Sequence, residues 1–144
     1  MMKKSAAIAA LAVWTVIACA AVIRGQETRS VWDGVYTAEQ AKRGEALYGQ
    51  HCGACHGSAL LGAEEAPALT GFEFGANWSG LTLGDLFERI RMSMPADDPG
   101  KVSAQQKADI VAHMLKVGGF PAGPTELPRD QQVLTQIKYL ATKP

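Results

Sequence analysis

The chain has 144 residues, 47% of them hydrophobic, and 14 basic residues match 14 acidic ones for a formal net charge of zero. This length suits one small domain and excludes a large catalytic body, and the lack of a basic excess excludes a binder of the nucleic-acid backbone. Three cysteines, only two of them beyond an apolar N-terminal run, supply no disulfide framework.

Met1-Met2-Lys3-Lys4 is a basic start, and positions 5–23 are uncharged and mostly apolar, so 1–23 reads as a signal peptide or membrane anchor. Three outcomes stay open. Cleavage can fall at the small residues Ala18-Cys19-Ala20; Cys19 can be lipidated within Val16-Ile17-Ala18-Cys19, which resembles a bacterial lipobox; or the segment can be retained as a tether. Each delivers the rest of the chain to the periplasm or to the outer face of the cytoplasmic membrane. From Gly25 onward 11 basic residues face 14 acidic ones, a balance of −3. Positions 24–36 have no clear period and read as a spacer, with 37–144 as the folded domain.

Thr37-Ala38-Glu39-Gln40 matches a capping box and opens a helix predicted to run to about Gly49. Ala41, Gly44, Leu47 and Tyr48 share one side of it at helical spacing. A mid-helix glycine costs about 1 kcal/mol relative to alanine, so Gly44 predicts the close approach of another helix. Next comes Cys52-Gly53-Ala54-Cys55-His56, the C-x-x-C-H pattern of c-type haem attachment. Two thiols add to the haem vinyl groups as thioethers, and the imidazole one residue on reaches the iron. A thioredoxin-like redox pair wants its C-x-x-C inside a βαβ pattern that this chain lacks. A closed zinc site wants further ligands, and the remaining cysteine, Cys19, lies in the leader.

Positions 58–80 are rich in Gly, Ala and Pro, hold Phe72, Phe74 and Trp78, and sustain no period. They read as a long loop wrapped around a flat cofactor. Thr82-Leu83-Gly84-Asp85 caps the next helix, which carries Leu83, Leu86, Phe87 and Ile90 on one face. It should end near Arg91, because Pro95 disfavours helical geometry at Met94. Ser103-Ala104-Gln105-Gln106 opens another helix, with Ile110, Val111, Met114 and Leu115 on one face and Gly118-Gly119 past its end. Over 130–141, Val133, Leu134, Ile137 and Leu140 fall at helical spacing and predict a short terminal helix. No strand pattern emerges. The expected fold is all-α, its helices wrapped around one covalently bound haem c and long irregular loops covering it.

An iron held by His56 has one axial position left. Methionine there marks electron transfer, since a soft thioether stabilises ferrous iron and raises the potential. The candidates are Met92, Met94, Met114, His51 and His113. Met94 follows a helix directly and is stiffened by Pro95, so His56 and Met94 are the expected iron ligands. Met92 points elsewhere, Met114 belongs to the apolar face of its helix, His113 lies off the centre of that face, and His51 projects to solvent near the haem edge.

From Thr37 to about Gly123 the chain resembles class I c-type cytochromes. Tyr48, the haem motif, Leu61-Gly62, Ala66-Pro67-Ala68-Leu69, Trp78, Met94-Pro95 and the helix from Ala104 occur in that family's order. The resemblance implies that the Pro67 carbonyl accepts a hydrogen bond from the second nitrogen of His56, that Trp78 belongs to the haem pocket, and that Gly44 and Tyr48 serve the crossing of the first and last core helices. His113 stands where many relatives have an aromatic residue. A narrower likeness is to the cytochrome domains of quinohaemoprotein alcohol dehydrogenases and their companion cytochromes. It is carried by Phe72-Glu73-Phe74 with Trp78, Asp85-Leu86-Phe87, Ser93-Met94-Pro95, Asp98-Pro99-Gly100 and Gly119-Phe120-Pro121-Ala122-Gly123.

These implications make the chain an electron carrier rather than an enzyme, passing one electron between redox proteins: a quinoprotein dehydrogenase as donor, and a terminal oxidase or another cytochrome as acceptor. The alternatives are a haem subunit of a periplasmic dehydrogenase or oxidase complex, and a haem-based ligand binder or sensor. No nucleic-acid partner is expected, and a membrane tether would run through the N-terminal segment or lipidated Cys19.

Overall fold

The computed structural model describes residues 29–64 and 66–144, so the expectations for the leader, for Cys19 and for positions 24–28 lie outside the described residues. Among the described residues six helices follow one another: α1 (Ala38–His51), α2 (Gly53–His56), α3 (Gly71–Trp78), α4 (Leu83–Ser93), α5 (Ala104–Val117) and α6 (Gln131–Leu134). A 3-10 turn at Pro99–Lys101 joins α4 to α5, and two short strands, β1 (Arg29–Ser30) and β2 (Ile137–Lys138), pair in parallel. Among the described residues the architecture is all-α apart from this ribbon.

Local chemistry sets the helix starts. Thr82 and Ser103 each accept a hydrogen bond from the backbone N–H three residues on, while the Asp85 and Gln106 side chains reach back to the cap N–H, completing two capping boxes. At α1 only half of the expected box forms. The Thr37 hydroxyl accepts from the Gln40 N–H at 3.1 Å, but the fully buried Gln40 side chain turns inward. It donates to Asp109 Oδ1 (3.1 Å) and to the Leu127 carbonyl (2.9 Å), and accepts from the Leu127 N–H (2.7 Å). Gln40 thus joins α1, α5 and the C-terminal segment, a distribution of bonds that no local motif encodes.

The core is centred on the crossing of α1 and α5. Ala41, Gly44 and Tyr48 face Ala108, Ile110, Val111 and Ala112, all buried. The Arg43 guanidinium closes the rim of this contact, with Nε 3.1 Å from Asp109 Oδ2. Leu83, Leu86 and Phe87 of α4 add a third buried layer.

Three expectations are corrected. From Arg29 on, the segment read as a spacer is integrated into the domain: Val31, Val35 and Tyr36 are buried, the Tyr36 hydroxyl donates to the Phe120 carbonyl (2.7 Å), and the Trp32 indole donates to the Leu140 carbonyl (2.9 Å). Its short apolar run buries against chain from the far end of the sequence, so no local period reveals it. The expected terminal helix stops at Leu134. Beyond it, alternate residues Ile137 and Tyr139 are buried, the period of extended chain, and β2 pairs with β1. The stretch 58–80, read as loop throughout, contains α3. Two glycines in those eight residues blur the helical period, and its one apolar signal is Phe74 and Trp78 at i, i+4.

Candidate functional site

Attachment chemistry gathers where α1 ends. The Cys52 N–H donates to the Tyr48 carbonyl (2.8 Å), and the His56 N–H returns to the Cys52 carbonyl (3.0 Å), so Cys52, Cys55 and His56 lie on a single turn of chain. Both cysteines are free thiols, Cys52 half-buried and Cys55 exposed. Burial pushes the Cys52 thiol up, with the neighbouring Cys55 acting in the same direction and Lys107 opposing.

His56 is buried, and its Nδ1 lies 2.8 Å from the Pro67 carbonyl oxygen. A carbonyl only accepts, so Nδ1 carries the proton and Nε2 keeps its lone pair for a metal. The hydrogen bond implied for Pro67 is therefore present. Its formation depends on Gly62, whose φ of +81° suits glycine, and where an added Cβ would meet Ala68 N at 2.7 Å and Ala66 O at 2.9 Å. Without that space the Ala66 to Ala68 turn could not close over His56. From the other side the Tyr48 hydroxyl donates to the Gly57 carbonyl at 2.7 Å. Burial, with the Cys52 thiol as a smaller cause, pushes Tyr48 up to about 12, so it remains a neutral donor.

Met94 caps α4 in extended conformation (φ −129°, ψ 140°), its N–H donating to the Ile90 carbonyl, and is half-buried ahead of buried Pro95. Met92 is 62% exposed and Met114 is buried in the core, as their positions predicted. Lys107 connects the methionine loop with the attachment turn: its ammonium donates to the Arg91 carbonyl three residues before Met94, and its charge is felt at Cys52. Trp78 is half-buried at the end of α3, and its aromatic contact is Phe74, ring centres 6.0 Å apart. The structure thus brings Cys52, Cys55, His56 and Pro67 into one cluster, whereas the ring contact of Trp78 is with its own helix. His113 is buried against Tyr48 (ring centres 5.5 Å), and its Nδ1 has no partner.

The donor set fits haem: two unpaired thiols on the turn that carries an imidazole with a free Nε2, followed along the chain by a half-buried thioether. Lys107 is the residue the sequence reading missed. Its only signal was spacing, which puts a lysine on the same helical face as Val111 and Met114.

Helical architecture and donor set define a small all-α protein of the class I c-type cytochrome kind, whose cofactor is covalently bound haem c. Residues 39–114, more than half of the chain, match the family model described as cytochrome C oxidase, cbb3-type, subunit III, and the chain belongs to that family. Among solved structures, a chain of the Sulfane Dehydrogenase SoxCD from Paracoccus pantotrophus is 20% identical, with 74% of this chain and 61% of that chain covered at a TM-score of 0.47. A search of curated proteins gives no match.

Proposed function

We propose that the chain is a single-haem electron carrier working outside the cytoplasm, with haem joined to Cys52 and Cys55 and its iron held between His56 and Met94. The observation that carries this reading is the His56 to Pro67 hydrogen bond of 2.8 Å beside two free thiols. It orients the imidazole and fixes its tautomer. The bound group supplies a one-electron couple. Met94 favours its reduced state as a soft thioether, and Tyr48 and Leu60, both buried, help shield the attachment turn from water. Trp78 contributes apolar surface to the pocket from the end of α3.

Electron transfer needs protein partners. We assign a periplasmic dehydrogenase as donor and an oxidase or second cytochrome as acceptor, on the likeness of 72–74, 93–95 and 119–123 to cytochromes that accompany alcohol dehydrogenases. The description of the matched family as an oxidase subunit favours a second reading, a haem subunit within an oxidoreductase complex; co-purification of a catalytic chain distinguishes it from a free carrier. Among the described residues no helix is long and apolar enough to cross a membrane, so the tether we propose rests on the leader.

Absorption spectra of the purified oxidised and reduced holoprotein test the core of the proposal. Low-spin spectra with the weak sulfur-to-iron charge-transfer band are expected, together with an intact mass one haem above the polypeptide after acid-acetone extraction. Haem that extracts freely overturns attachment at Cys52 and Cys55, and absence of the band overturns Met94.

A further inference from the structure

Lys107 is 2% exposed on α5, between Ser103 and the buried Val111 and Met114 of the same face. A buried ammonium is destabilising unless its N–H groups find acceptors. Here Nζ donates to two backbone carbonyls, Arg91 at 3.0 Å and Pro99 at 2.8 Å. Neither partner is a carboxylate: nearby Asp97 is paired with Lys101 at the surface, and the Asp98 side chain accepts from the Gly100 N–H. The Arg91 carbonyl is among the last four of α4, which have no partner within the helix. The Pro99 carbonyl belongs to the 3-10 turn. One buried cation therefore ties together both ends of the segment 92–98, in which Met94 sits. The exposed Lys101–Asp97 pair spans part of the same segment, but surface ion pairs contribute little.

We propose that Lys107 is a positioning residue for Met94, holding the 92–98 loop in the one conformation that presents the thioether. The inference rests on the reading of Met94 as the second iron ligand. A loop released at either end spends more time with the sulfur withdrawn, and an added ligand then competes more easily for the position. The lysine acts through two carbonyls, so an apolar side chain of similar length preserves packing while releasing the loop.

The test titrates ferric holoprotein with imidazole and follows loss of the sulfur-to-iron band, comparing wild type, Lys107→Met, Lys107→Gln and the exposed control Lys116→Met, with thermal unfolding of each alongside. Both Lys107 variants are expected to bind imidazole at least tenfold more tightly than wild type, and Lys116→Met to stay within twofold. A purely structural role would lower the melting temperature without moving imidazole affinity, and affinities within twofold of wild type overturn the proposal. Failure of both Lys107 variants to accumulate as holoprotein also overturns it, by assigning the residue to folding. A wild type without the band, or Met94→Ala with an unchanged spectrum, removes the Met94 reading itself, and the Lys107 proposal with it.

Discussion

Gly44 of α1 rests directly on the Asp109 carbonyl of α5, so close that a Cβ built on Gly44 would fall well inside van der Waals contact with that oxygen. The clash would be with backbone, and no rotamer change relieves it. Gly44→Ala is therefore expected to destabilise the holoprotein by about 1–3 kcal/mol, the usual range for overpacking. Gly49 lies in the same helix with nothing within 4 Å of its would-be Cβ. Gly49→Ala should stabilise by about 0.5–1 kcal/mol through helix propensity. Denaturant unfolding of the two variants checks the opposite signs.

Met94→Ala should open the axial position, giving a high-spin or water-ligated ferric form and a ferrous form that binds carbon monoxide. Met92→Ala, at a side chain 62% exposed, should leave the low-spin spectrum intact. Met94→His should lower the midpoint potential, because a second imidazole favours ferric iron over the soft thioether. Absorption spectroscopy and potentiometry read all three, and the reverse pattern for the two alanine variants would assign the sulfur to Met92.

His113 is buried against Tyr48 with Nδ1 unpartnered, and desolvation lowers its pKa, Glu45 opposing this and Lys116 adding to it. Unfolded chain then takes up the proton first. The stability contributed by the neutral ring is complete above the unfolded value of 6.5 and is lost as pH falls from there toward the folded value. His113→Phe keeps an aromatic ring against Tyr48 and removes the unpaired nitrogen, whose burial costs about 1–3 kcal/mol. The variant should be more stable by about 1 kcal/mol at neutral pH and lose less stability on acidification. Unfolding curves at several pH values test both the offset and the slope.

Cell fractionation of wild type and Cys19→Ser, with intact mass, decides the fate of the leader. Wild type is expected with the membrane. Release by Cys19→Ser identifies lipid anchoring, in which each buried methylene contributes about 0.8 kcal/mol, whereas retention of the variant identifies an uncleaved anchor. Wild type recovered wholly soluble, beginning at Ala21, refutes the tether.

What the sequence determined by itself is what is encoded within a few residues. The C-x-x-C-H turn, the caps at Thr82 and Ser103, the apolar faces of α4 and α5 and the glycine at the helix crossing all depend on neighbours at helical or motif spacing, and each is legible without coordinates. Tertiary structure decided the rest, because its partners are distant in sequence. Ile137 follows a helical period in the text, yet it buries in extended chain because β1, more than a hundred positions earlier, offers a pairing edge. Gln40 completes a capping motif on paper, but Asp109 and Leu127 compete for its amide in the fold. Lys107 looks like a misplaced charge on an apolar face until the Arg91 and Pro99 carbonyls converge on it. A buried polar group is satisfied by whichever partner the packing brings within reach, and that geometry exists only once the chain has closed on itself.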